Sequence, residues 1–183
     1  MKLDSKCVYI DEKRPLDLSG QFGAVYRGIY RKLNGDEIKV AVKQVKNVTY
    51  ETTQDLLQEA KLMQSFKHSH VIELLGVCSN EENSSLRIVL ELASLGQLSS
   101  YLRCNEANIS MENIVNILYQ VAMGMVYLAE NLIVHRDLAA RNILLMSIDT
   151  AKISDFGLSR KMNPDTKCYE VNLASEPKLP LKW

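Results

Sequence analysis

The stretch Ile133-Val134-His135-Arg136-Asp137-Leu138-Ala139-Ala140-Arg141-Asn142-Ile143-Leu144-Leu145 sets a cluster of polar side chains between two short apolar runs. His135, Arg136, Asp137, Arg141 and Asn142 carry more chemistry than a turn needs. A carboxylate such as Asp137 can accept a proton from a hydroxyl nucleophile, and the amide oxygen of Asn142 is a hard ligand suited to Mg²⁺. A second hard ligand, Asp155, stands in Ile153-Ser154-Asp155-Phe156-Gly157, where Gly157 lets the chain turn sharply just after the carboxylate.

Two charged residues nearer the N-terminus belong to the same chemistry. Lys43 lies in the strand-like run KVAVKQV, where period-two geometry puts it on the face of Ala41 and Val45 and opposite Val40 and Val42. Glu59 falls on the apolar face of a helical segment, between Leu56 and Ala60, where an unpaired carboxylate is costly to bury. If the two meet, each satisfies the other, and the pair can hold a cationic head towards phosphate. Ahead of them, LDLSGQFGAVYRG (residues 16–28) fits a phosphate-covering pattern G-x-G-x-x-G-x-V at Gly20, Gly23 and Val25, with Leu18 in place of the first glycine.

The elements that must position these groups follow from periodicity. Residues 22–46 alternate as two strands around the turn Leu33-Asn34-Gly35-Asp36 and predict a hairpin. Residues 52–66 predict a helix with Leu56, Glu59, Ala60 and Met63 on one face and Thr52 or Thr53 as its N-cap. VIELLGV and LRIVLELA read as further strands, and Pro15 predicts a first strand that is stunted or confined to an edge. After Gly96 the pattern turns helical, over 96–103 and 111–131, with short strands at 133–135, 143–145 and 151–153. The shift near Glu91–Gly96 predicts two lobes.

Composition narrows the function classes. The chain has 183 residues, 46% of them hydrophobic, enough for a sizeable core, and 22 basic against 22 acidic side chains give no net charge. Nothing in that balance favours nucleic acid or an anionic membrane surface as a partner. Cys7, Cys78, Cys104 and Cys168 are far apart and show no metal-binding or disulfide-framework spacing, which reads as reduced thiols. No leader-like or membrane-spanning apolar run is present, and the sequons at Asn47, Asn83 and Asn108 read as chance.

In order and over nearly the whole chain, Gly20-x-x-Gly23-x-Val25, Val40-Ala41-Val42-Lys43, Glu59, His135-Arg136-Asp137 with Asn142, and Asp155-Phe156-Gly157 resemble the protein-kinase signature. Asp137-Leu-Ala-Ala-Arg-Asn142 and the closing Pro180-Leu181-Lys182-Trp183 are similar to tyrosine kinases, and ELASLGQL, QVAMGMVYL and AKISDFGLS look most like the non-receptor spleen tyrosine kinase family. The resemblance implies an α+β, bilobal kinase fold. Its small antiparallel-sheet N-lobe with one key helix would span about 8–92, a hinge 93–96, and an incomplete, mainly helical C-lobe 97–183.

It also implies roles. Lys43, held by Glu59, would contact the α and β phosphates of ATP; Asn142 and Asp155 would bind Mg²⁺, with Mn²⁺ as a substitute; Asp137 would take the tyrosine proton, with Arg141 in the catalytic set. Leu18, Ser19, Gly20, Gly23, Val25, Ala41, Glu91, Ala93 and Leu144 would line the ATP site, with Leu90 as gatekeeper. Tyr169, placed in the activation segment, would be phosphorylated and pair with Arg136, and Pro180 to Trp183 would form the substrate platform. Tyr9, Tyr26, Tyr30 and Tyr50 have no comparable placement.

The partners implied are tyrosine-bearing proteins, and phosphotyrosine-signalling proteins through domains outside this chain. The implied location is cytoplasmic, open to recruitment at the inner face of the plasma membrane. Two alternatives stand beside the active kinase: a catalytically silent kinase-like scaffold, and a small-molecule kinase of similar fold. Because the sequence stops at Trp183, before an Ala-Pro-Glu motif, it is expected to be a fragment with little activity alone. The apolar face of 111–131 is expected to lack a cover.

Overall fold

The structure, a computed structural model, describes residues 2–17, 23–45, 48–79, 86–105 and 109–169. They form two compact units, one built from the residues up to Lys67 with Glu73–Leu92, the other from His68–Ile72 with the residues from Ala93 onward. The architecture is α+β. The first unit is a twisted antiparallel sheet with one helix, and the second is mainly helical with short strand pairs.

In the first unit, β1 (Val8–Asp17), β2 (Ala24–Arg31), β3 (Glu37–Gln44), β4 (Leu74–Ser79) and β5 (Leu86–Glu91) are ordered β1-β2-β3-β5-β4. Alternation along β3 divides the core in two. Val40 and Val42 pack with Leu3, Val8, Cys78 and Val89 on one face. On the other, Val45 and Ile88 meet Leu56 and Ala60 of helix α1 (Tyr50–Met63).

The first strand is not stunted: it runs for 10 residues. It does lie at an edge, and its register against β2 slips on either side of Pro15. A proline has no N–H to give the ladder, and an edge with a bulge is where a sheet tolerates that loss. The β2–β3 turn closes with Gly35 N–H donating to Lys32 O at 2.9 Å and Lys32 N–H to Asp36 O at 2.8 Å. Gly35 takes the left-handed φ of 90° that this closure demands.

Helix α1 begins earlier than its periodicity suggests, and its N-cap is Thr49 rather than Thr52 or Thr53. The Thr49 hydroxyl accepts from Thr52 N–H at 3.1 Å and the Thr52 hydroxyl accepts from Thr49 N–H at 3.0 Å, a reciprocal capping box. Thr52 is thus the inner half of the cap. Three threonines in reach of one another made the sequence position ambiguous.

In the second unit, β6 (Gly96–Gln97) pairs with β8 (Ile143–Ser147), which pairs with β9 (Thr150–Ile153); β7 (Ile133–Val134) pairs with β10 (Arg160–Lys161). The short helix expected from residue 96 starts two residues later, α2 being Leu98–Cys104, because Gly96 and Gln97 are spent on pairing with Leu145 and Leu144. Helix α3 (Met111–Glu130) is capped by Ser110, whose hydroxyl accepts from Asn113 N–H at 3.1 Å.

One face of α3 buries Ile117, Gln120, Gly124 and Leu128. Gln120 fastens the β8–β9 turn through its side-chain amide, donating to Asp149 O at 2.8 Å and accepting from Ala151 N–H at 2.7 Å. Its opposite face leaves Met111, Val115, Leu118, Tyr119 and Val126 exposed among the described residues. Residues 68–72 extend this unit's pairing: Ile72 N–H donates to Ile153 O and Ile153 N–H to His70 O, both at 2.9 Å. A Cβ on Gly124 would stand 2.8 Å from His70 O, so glycine lets α3 approach this segment. No described helix is long and apolar enough to cross a membrane.

The capping box fixes the start of the helix that carries Glu59. Thr49→Ala is expected to destabilise the first unit by about 1 kcal/mol. Thermal unfolding should show a fall of roughly 2–4 °C.

Candidate active site

Lys43 projects from β3 on the same sheet face as Ala41, with Val25 of β2 directly across from it. Its ammonium donates to both carboxylate oxygens of Glu59, at 2.8 and 2.9 Å. The residues are 8% and 5% exposed, so the pairing foreseen from two awkwardly placed charges is formed in the interior. An ion pair so far from water is seldom a gain in stability over apolar side chains of similar volume, whereas breaking it strands a charge. Its retention points to use.

Gly23 precedes β2, and a Cβ there would lie 2.3 Å from Gln44 O, so the loop's last glycine is required by close backbone approach. Leu18, Ser19 and Gly20 lie outside the described residues, as do Pro180, Leu181, Lys182 and Trp183. Glu91 ends β5, and its N–H donates to Glu73 O at 3.2 Å. Leu90 faces Ala41 across the β3–β5 ladder. Ala93 and Leu144 belong to the second unit.

In that unit the polar loop is a single hydrogen-bonded body. Asp137 is buried, and its two oxygens have separate partners: Oδ1 pairs with Arg141, while Oδ2 accepts from Asn142 Nδ2 at 2.8 Å. The same Nδ2 donates to Asp137 O at 2.8 Å. With both amide protons so committed, Asn142 Oδ1 makes no hydrogen bond among the described residues and remains a hard acceptor. Its carbonyl O accepts from Ser154 N–H at 2.8 Å and from the Ser154 hydroxyl at 2.9 Å, which ties the loop to the residue before Asp155.

Arg136 and Asp155 both adopt left-handed backbone, with φ of 69° and 62°. Such conformations cost on the order of 1 kcal/mol or more for residues other than glycine and persist where the surroundings impose them. The surroundings here are explicit. Ser159 donates its hydroxyl to His135 O at 3.0 Å, and the His135 ring meets Phe156 edge-on at 5.0 Å. Ser154, Ser159 and Gln120 went unnoticed in the sequence; the serines' only signal is their position on either side of Asp155-Phe156-Gly157.

These residues fit a divalent cation, though not a dedicated cage. Among the described residues no group of three or more His, Cys, Asp or Glu is gathered as a metal site. Mg²⁺ is commonly held by one or two protein oxygens with substrate phosphates and water completing the shell, and Asn142 Oδ1 with Asp155 is a donor set of that kind. Further along, the Arg136 guanidinium lies over the Tyr169 ring, 5.3 Å from its centroid.

His135 serves as a structural pivot. Its Nε2 is 3.0 Å from Ser154 O, and its Nδ1 accepts from Asp137 N–H at 3.3 Å, which assigns the proton of the neutral ring to Nε2. A second proton would have to sit on Nδ1, against that donor. Burial holds the ring below its ordinary pKa of 6.5. The unfolded chain therefore binds this proton first as pH falls, so stability is full above 6.5 and declines as pH drops towards the lowered value. NMR titration should place the midpoint of the His135 ring protons below pH 6.5; a midpoint at or above that value would contradict the assignment.

Residues 14–183 match the family described as protein tyrosine and serine/threonine kinase. The chain is similar to the tyrosine-protein kinase ZAP-70 of Mus musculus, 42% identical over 165 residues, and to the tyrosine-protein kinase SYK of Gallus gallus, 41% identical over 167. Each match takes in 90% of this chain and 26% of the relative, so the chain spans about a quarter of their length. It is also 43% identical over 166 residues to the inactive tyrosine-protein kinase kin-32 of Caenorhabditis elegans, covering 90% of this chain and 18% of that protein. With the signature residues in order and the match running over nearly its whole length, the chain belongs to the protein tyrosine and serine/threonine kinase family.

Proposed function

We propose that this chain is the catalytic part of an enzyme that transfers the γ-phosphoryl group of ATP to tyrosine hydroxyls of proteins in intracellular signalling. The observation that carries this reading is the buried Lys43–Glu59 pair, formed at 2.8 Å where packing alone gives no reason to keep it. Residues 8–92 act as N-lobe, 93–96 as hinge and 97–183 as C-lobe. Lys43 binds the α and β phosphates, with Gly20 and Gly23 covering them and Leu18, Ser19, Val25, Ala41, Leu144 and the backbone of Glu91 and Ala93 around the nucleotide.

Phosphoryl transfer asks mainly for alignment and positive charge around the oxygens, since its transition state is loose. Mg²⁺, or Mn²⁺ in its place, supplies charge at the β and γ phosphates when bound, with Asn142 and Asp155 to hold it. Asp137 orients the tyrosine hydroxyl and accepts its proton, its carboxylate fixed by Arg141 on one oxygen and Asn142 on the other. Pro180 to Trp183 present the substrate. Tyrosine-bearing proteins in the cytoplasm, or at the inner face of the plasma membrane, are the substrates this reading selects.

A second reading, a silent kinase-like module, is favoured by Leu18 in place of a glycine and by a relative named as inactive. Turnover separates the two. With ATP, Mg²⁺ and a tyrosine peptide, the full-length protein should phosphorylate the peptide but not its serine counterpart. Asp137→Asn should lose about 10²–10⁴-fold in rate, and Lys43→Met should fall comparably. Nucleotide binding with no turnover in the unsubstituted protein would establish the silent module instead.

Tyr169 is proposed as the regulatory site. Phosphate on its ring would exchange a guanidinium–ring contact for a charge-assisted pair with the same Arg136. Tyr169→Phe should abolish the rise in rate that follows preincubation with ATP while leaving the initial rate in place; an unaltered rise would remove Tyr169 from that role.

A further inference from the structure

Tyr9 repeats in the first unit the arrangement of Tyr169 under Arg136. Its ring, in the edge strand β1, is 50% exposed, and the Arg31 guanidinium lies over it, 5.4 Å from the centroid. The contact follows from register. Tyr9 stands opposite Ile29 on β2, which puts Arg31 two residues along the same sheet face, within diagonal reach.

Arg31 is held but not used up. Its Nε and Nη2 both donate to Glu37 Oε1, at 3.0 and 2.7 Å, so Glu37 orients the fork with a single oxygen. The Nη1 amine makes no hydrogen bond among the described residues, and a guanidinium carries donors enough for two anions at once. Arg31 and Glu37 have side chains 51% and 46% exposed, which leaves the fork open to a group arriving from solvent. Tyr9 is also followed by Ile10, Asp11 and Glu12, an acidic flank that marks it off from Tyr50, which is exposed with no cation over its ring among the contacts described.

We propose that Tyr9 is a phosphorylation site whose phosphate is received by Arg31, pinning the start of β1 to the β2–β3 hairpin. A phosphate on Oη adds close to two negative charges and three acceptors, a match for the unused Nη1 side of the fork. The source of the phosphate rests on the kinase reading above: a second copy of the enzyme acts on Tyr9. In that step Tyr9 Oη bonds to the γ-phosphorus of ATP as the bond from that phosphorus to the bridging oxygen breaks. ADP leaves, and the phenolic proton passes to Asp137 of the phosphorylating copy and then to water.

Two measurements on the full-length protein keep the halves of the proposal apart. Phosphotyrosine incorporated at position 9 during synthesis should raise the thermal midpoint by roughly 2–4 °C at low salt. High salt should shrink the rise, because an exposed pair is screened, and Arg31→Gln should abolish it. No rise, or one that survives in Arg31→Gln, overturns Arg31 as the receiver.

The second measurement incubates unmodified protein with ATP and Mg²⁺ and maps phosphotyrosine by mass spectrometry. Phosphate at Tyr9, absent from Asp137→Asn, supports the enzyme as its own source. A tyrosine peptide phosphorylated while Tyr9 stays bare overturns self-modification. A peptide left untouched defeats the kinase reading and self-modification with it, and the thermal measurement still decides the role of Arg31.

Discussion

Burying one ammonium and one carboxylate together constrains the first unit more tightly than any apolar contact in it. Lys43 and Glu59 arrive from different elements, and their pairing offsets the cost of taking both charges into the interior. The helix is therefore not free to slide along the sheet as an oily face alone would allow. Leu56 and Ala60 set the depth of α1 against Val45 and Ile88, and Glu59 sets its register. The reciprocal threonine cap then starts the helix where that register requires. Specificity of this kind is what a site that binds phosphate at one point needs from a scaffold.

The second unit is held at its centre largely by bonds to the main chain. There the backbone is the scaffold: carbonyls of Asn142, Ser154 and His135 are each taken by a neighbouring serine or histidine. Short strands that would not stand alone are joined in this way through their loops. Two of the unit's left-handed residues, Arg136 and Asp155, sit inside that mesh, where local strain can be held against relaxation. Side chains that do chemistry, Asp137 and Asn142 above all, are thus aimed by bonds made elsewhere in the chain.

Much of this was legible beforehand, and the reasons differ by residue. The β-branched pattern of KVAVKQV, the apolar run LRIVLELA, and the helical spacing of Leu56, Glu59, Ala60 and Met63 state their elements because the period of the buried residues differs between strand and helix. Lys43 and Glu59 announced each other, since charge on an apolar face is an anomaly with few resolutions. The N-cap was misplaced among three threonines because composition cannot tell an outer from an inner half of a capping box. β10 and the role of His135 left no pattern at all: a two-residue strand has no period, and a ring that serves two backbone groups looks in sequence like any histidine. Gln120 was hidden for the same reason, its partners being main-chain atoms of a turn 29 residues away.

The segment His68–Ile72 has a consequence for how the molecule comes to exist. It lies in sequence between α1 and β4 of the first unit, yet its hydrogen bonds go to β9, and His70 reaches Ala151 across 81 positions. As the chain is synthesised, the first sheet can close around an excursion whose own partners have not yet emerged. The later unit, in turn, cannot complete its edge from later residues alone. Neither half is a module to be cut out at residue 93, because the second unit takes His68–Ile72 from a point in the chain ahead of β4.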